Sequence, residues 1–148
     1  MKKILAVLCG ALALAGCGGE EDSKGHDSHS GEPNLDDPET RKQIIAEAID
    51  ETKLSTEKEG DEKTWHYDGL PFNGWVKDIN SRTNKVEMLV FLKDGKPDGL
   101  EISFHDSGRK KKTRWWKNGK KHGLEIYYNV DGTEKSRRTY EDGELVRD

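Results

Sequence analysis

The chain has 148 residues, of which 36% are charged and 31% hydrophobic, with two cysteines and a formal net charge of −4. The composition leaves no room for a membrane-crossing helix in its opening apolar run: Ile4 to Ala15 is 12 residues, against the ~20 that a bilayer core requires. The charge is unevenly divided, with 15 acidic and 5 basic residues in 18–62 but 14 acidic and 18 basic in 63–148, so an acidic arm precedes a basic domain.

Met1-Lys2-Lys3 is a short basic stretch ahead of that apolar run, the pattern of a secretory signal peptide over residues 1–16. The run ends Leu14-Ala15-Gly16-Cys17, which resembles the lipobox of bacterial lipoproteins. The resemblance implies cleavage before Cys17, a diacylglycerol on its sulfur and an acyl chain, such as palmitate, on the new N-terminus. Gly18 in the following position implies outer-membrane sorting where the host has two membranes. The expected location is therefore the cell membrane or outer membrane, lipid-anchored and exported from the cytoplasm, because several acyl chains exceed the marginal hold of one. With Cys9 removed and Cys17 acylated, no thiol remains for a disulfide, a nucleophile or a thiolate metal ligand.

Residues 17–36 read as a lipidated flexible tether, since Gly, Ser, Glu, Asp and His cannot bury enough surface to offset ordering entropy. Its Gly25-His26-Asp27-Ser28-His29 places two histidines on a mobile chain, which is not a preorganised set of three or four ligands, and no metal or cofactor is expected. Residues 37–63 read as an amphipathic helix and a charged connector. Asp37 caps, Pro38 takes the first helical position, and Ile44, Ile45, Ala48 and Ile49 form one stripe, which predicts a helix to about Leu54. A helix this short needs a surface to dock on. Ser55 to Lys63 carries too little apolar content to be predicted as a core element.

Residues 64–148 are organised by a 24-residue period, marked by Gly95, Gly119 and Gly143. Nine of 24 positions are identical between 95–118 and 119–142. Within each unit an alternating strand (Leu100, Ile102, Phe104; then Leu124, Ile126, Tyr128) meets a glycine turn at Gly108 or Gly132 and runs back. A worn copy precedes them, with Asn84 in the glycine turn position. The expected fold is mainly β: an antiparallel meander of about three β-hairpin repeats with one N-terminal amphipathic helix. In the first copy Val86, Met88, Val90 and Leu92 are assigned to one face and Leu89 and Phe91 to the other. Thr113 and Trp115, then Arg137 and Thr139, follow in the latter columns, so that face drifts from apolar to charged. The helix is expected to cover it at the first hairpin.

The stretch Trp116-Lys117-Asn118-Gly119-Lys120-Lys121-His122-Gly123-Leu124, with the entry Tyr67-Asp68-Gly69-Leu70-Pro71-Phe72-Asn73-Gly74, resembles the MORN-type repeat, and more closely its antitoxin-like bacterial variant. The resemblance covers 65–148 and implies a hairpin array. It also implies an alternative role, an antitoxin- or immunity-like protein that neutralises one cognate partner.

Cations interleaved with tryptophan mark the binding candidates: Lys110, Lys111, Lys112, Arg114 and Arg137, with Trp115 as the exposed aromatic and Trp116 in the core column of Leu92 and Tyr140. Such a patch suits an anionic envelope component or a protein, and export argues against nucleic acid. His66, His105 and His122 stand at unlike columns, and neither a nucleophile elbow nor a phosphate loop is present, so no catalytic residue is assigned and no enzyme activity is expected. The expected function is a non-catalytic binding or scaffold module held at the membrane.

Overall fold

Asp37 starts the first element as expected: its carboxylate accepts hydrogen bonds from the Thr40 amide at 2.8 Å and the Thr40 hydroxyl at 2.6 Å, and Pro38 follows at the first helical position. The computed structural model describes residues 33–60 and 62–147, so the expected signal peptide, Cys17 and most of the tether lie outside the described residues.

Helix α1 (Pro38–Glu47) is shorter than predicted. Ala48 turns extended, and Ile49–Asp50 becomes strand β1, pairing in parallel with Val76 and Lys77. Asp50 then caps a single 3₁₀ turn, Glu51–Lys53, through the Thr52 amide at 2.9 Å. β-branched Ile49 fits an extended strand better than another helical turn, and Lys77 Nζ, 2.8 Å from the Ile45 carbonyl, satisfies an orphan acceptor at the helix end.

The expected charged connector is a hairpin, β2 (Ser55–Glu59) and β3 (Glu62–Tyr67), extended by the short β4 (Leu70–Pro71) into a three-stranded sheet. Every β2 side chain is exposed, so no apolar alternation announced it. Backbone pairing to β3 needs none, and charge is what keeps an edge strand from aggregating.

The remaining strands are β5 (Gly74–Ile79), β6 (Val86–Lys93), β7 (Lys96–Phe104), β8 (Lys110–Lys117), β9 (Lys120–Tyr128), β10 (Glu134–Glu141) and β11 (Glu144–Arg147). They lie in chain order, each antiparallel to the last, with β1 added at the β5 edge to make eight. The fold is thus mainly β, with one α-helix and a meander of neighbouring hairpins. Asn84 (φ 54°) stands where Gly108 (φ 80°) and Gly132 (φ 94°) turn the later hairpins, and asparagine tolerates that left-handed conformation better than most residues. At the opposite end the Gly95 amide donates to the Phe72 carbonyl at 2.9 Å, Gly119 to Pro97 at 2.8 Å and Gly143 to Lys121 at 2.8 Å.

Both sides of the sheet are covered at its first hairpin. On one side α1 and the residues flanking it pack Leu35, Ile44 and Ala48 against Leu89, Ile102 and Phe104, with Ile45, Trp75, Val86 and Leu100 around them. The helix therefore covers the Leu89 face as expected, while Phe91 meets the Trp75 ring edge-on at 5.5 Å. Ile49, expected on the helical stripe, instead packs on the opposite side of the sheet. There Val76, Val90 and Leu92 contact Ile49, Leu54, Trp65, Phe72 and Met88, so the three-stranded sheet acts as a second cap.

Val86 also departs from its expected face. Asp78 pairs with Met88 but Ile79 with Val86, so Glu87 is an extra residue, a bulge that turns Val86 to the helix side. The same irregularity recurs at Lys111, between the Ser103–Lys112 and Phe104–Lys110 pairs, and at Lys135, between Tyr128–Glu134 and Tyr127–Ser136.

Candidate binding face on strands β7 to β10

The bulge at Lys111 decides the fate of the basic run. Ser103 and Phe104 point to opposite sides of β7, so their partners Lys112 and Lys110 do too. Lys110 lies on the helix side, 2.6 Å from the Asp36 carboxylate and 5.2 Å from the Tyr128 ring centre. Trp115 and Arg137 share that side, opposite Leu100 and Ile126 respectively. Trp115 is half-buried and lies along Gly123, 3.4 Å from where a Cβ would stand. Arg137 closes a two-pronged hydrogen bond on Glu134, at 2.8 and 2.7 Å. Lys111 is exposed at the bulge. The structure therefore splits the six expected residues: Lys110, Trp115 and Arg137 lie on the helix side, Lys111 is at the bulge, and Lys112 and Arg114 lie on the side away from α1.

What joins Lys112 and Arg114 there is a pair of carboxylates, Glu101 and Glu125, which alternate with the apolar positions of β7 and β9. Glu101 is 5% exposed and Glu125 is fully buried. Lys112 Nζ is 2.7 Å from Glu101, and Trp116 Nε1 donates to the same carboxylate at 2.8 Å. Arg114 lies between the two acids, its Nε hydrogen-bonded to Glu125 and its guanidinium 3.8 Å from Glu101. Lys121 stands 3.7 Å from Glu125, and the hydroxyls of Tyr127 and Tyr140 donate to it at 3.4 and 3.3 Å. Arg114 also lies over the Trp116 ring at 5.3 Å and Lys121 over the Tyr140 ring at 4.4 Å.

The electrostatics follow from that layering. Burial pushes the Glu125 carboxyl up, but the hydrogen bond and charge of Arg114, the charge of Lys121 and the Tyr140 hydroxyl outweigh it. The net shift is downward from the ordinary 4.5, so Glu125 is an anion at neutral pH. The signal that could have found this network was present in the sequence: Glu101 and Glu125 stand one period apart, and Lys112, Arg114 and Trp116 share one strand parity.

Among the described residues, open concavities lie at the turn end. An open groove of about 690 Å³ is lined by Asp78, Glu87, Met88, His105, Asp106 and Val130 among others, and Glu87 there accepts a hydrogen bond from Asn80. Among the described residues, no three or more His, Cys, Asp or Glu are placed to hold a metal, and no helix is long and apolar enough to cross a membrane. Comparison of the chain with family models, curated proteins and solved structures returns no match.

Proposed function

We propose that the chain is an exported bacterial lipoprotein, anchored through Cys17, whose MORN-like hairpin domain is a non-catalytic binding or scaffold module. The observation that carries the binding role is the layer of Lys112, Arg114, Trp116, Lys121, Tyr127 and Tyr140 above Glu101 and Glu125. Each carboxylate there is saturated by cations and hydrogen-bond donors. An acid or base catalyst instead needs a group free to exchange a proton with substrate. An open sheet face of aromatic and cationic side chains supports macromolecular contact rather than enclosure of a small substrate. The anchor is supported by the lipobox-like Leu14-Ala15-Gly16-Cys17. Metabolic labelling with palmitate tests it: the protein takes label in the membrane fraction, and Cys17→Ser abolishes that label. Labelling that survives the substitution would rule out Cys17 as the anchor.

A further inference from the structure

We infer that the side of β7–β10 away from α1 docks an acidic surface of a partner protein. The inference rests on the binding-module reading and adds the chemistry of the partner.

Where the three-stranded sheet covers this side, the side chains are apolar: Val76, Val90 and Leu92. Farther along, the matching positions change character. Glu101 and Glu125 stand two residues after Gly99 and Gly123, as Val76 does after Gly74. Arg114 and Trp116 stand one period beyond Val90 and Leu92. The capped hairpin uses these positions for core; the later hairpins put glutamate in the Val76 column, and in the Leu92 column they put Trp116 and then Tyr140, residue types enriched at protein interfaces.

The charges are stacked in depth. The Glu101 and Glu125 side chains are 7% and 1% exposed, whereas those of Lys112, Arg114 and Lys121 are 17%, 16% and 30% exposed. Cations therefore face outward over buried anions. Arg114 commits its Nε to Glu125 and makes no hydrogen bond through either terminal nitrogen among the described residues. One of them stands 3.8 Å from Glu101, and their N–H groups keep donors for a carboxylate supplied from outside.

The same geometry separates three kinds of anion. Lipid headgroups suit long, loosely held lysines, whereas Lys112 and Arg114 are pinned by carboxylates beneath them. Acidic sugars stack on open ring faces, and here Arg114 covers one face of Trp116 and Lys121 one face of Tyr140. Leu145, opposite Tyr140 and 49% exposed, adds an apolar rim to the cationic face. An acidic protein surface satisfies both the cations and that rim.

Site-specific photocrosslinking in the full lipidated chain, in its host, tests the inference. Benzoylphenylalanine at Tyr127 is expected to capture a peptide of net negative charge, located by mass spectrometry. The same probe at Thr139, on the helix side, is expected not to capture it. Ser136 lies opposite Tyr127 and is exposed, so Ser136→Glu adds a carboxylate to the face without removing any partner of Glu101 or Glu125. It is expected to cut the crosslink about tenfold through like-charge repulsion. Washing membranes in about 0.5 M salt carries the same test without a substitution. Crosslinks to lipid or glycan alone, or a yield indifferent to both Ser136→Glu and salt, overturn the proposal. Palmitate labelling of the same cells keeps the two readings apart. A labelled chain that captures no acidic peptide refutes the docking proposal alone, and an unlabelled chain that still captures one refutes the anchor alone.

Discussion

Arg114 and Glu125 face each other at matched positions on β8 and β9 and form a hydrogen-bonded ion pair beneath the sheet surface. Removing the cation takes from buried Glu125 its direct ion pair and leaves it Lys121 at 3.7 Å and two tyrosine hydroxyls, while Glu101 keeps Lys112 and Trp116. Arg114→Ala should therefore cost about 3–5 kcal/mol, read as a lowered urea midpoint. Arg137→Ala removes an equally well-formed pair with Glu134, but the two side chains there are 58% and 37% exposed. That substitution should leave the midpoint unchanged, because solvent already screens the pair.

Acid should act through the same carboxylate. Glu125 titrates below its ordinary 4.5 in the folded protein, so the folded state holds fewer protons than the unfolded chain as that value is crossed. Its contribution is fully present above about pH 4.5 and is lost as pH falls toward the depressed folded value. Thermal midpoints measured from pH 6 downward should fall below about 4.5. In Glu125→Gln the fall should be shallower, and an identical slope would contradict the assignment.

The helix cap makes a prediction about packing. Leu89 is fully buried and shares a cluster with Leu35, Ile44 and Ala48. Leu89→Ala should cost about 2–5 kcal/mol in chemical denaturation. Leu89→Asp should prevent α1 from docking at all, seen as lost amide protection in hydrogen exchange from Arg41 to Ala48, whose amides donate within the helix. Protection that persists in the Asp variant would mean that the helix stands without this face.

Two glycine turns with similar dihedrals should respond differently to alanine. At Gly108 (φ +80°) nothing lies within 4 Å of a Cβ, so Gly108→Ala should cost only the left-handed penalty of about 1–2 kcal/mol. At Gly95 (φ +72°) a Cβ would stand 2.6 Å from the Trp65 carbonyl oxygen and 2.5 Å from Thr64 Cγ2. Gly95→Ala should therefore cost about 1–3 kcal/mol more than Gly108→Ala, as overpacking against the β3 cap. Equal midpoints for the two variants would mean that the cap yields freely.

Local signals were legible in the sequence and distant ones were not. Asp37 and Pro38 announce the start of α1 because capping involves only the next three residues. Its end is set by Ile49 pairing with Val76, a contact that no window around residue 49 contains. The hairpins are written in alternation and turn chemistry, so their order and positive-φ residues follow from reading alone. The basic run misleads because one extra residue at Lys111 turns Lys110 to the other side of the sheet from Lys112, and a bulge leaves no mark in composition. Glu101 and Glu125 carry no local sign of burial, and they are covered because side chains of neighbouring strands lie across them.

The glycine amides that reach back to Phe72, Pro97 and Lys121 tie each hairpin to its predecessor alone. An in-frame duplication of one unit would therefore add a hairpin at the far end without asking the helix or the first cap to move. It would also lengthen the cationic face by one more stripe. A lineage carrying such a chain could lengthen the sheet by copying DNA, with no need to rebuild it residue by residue.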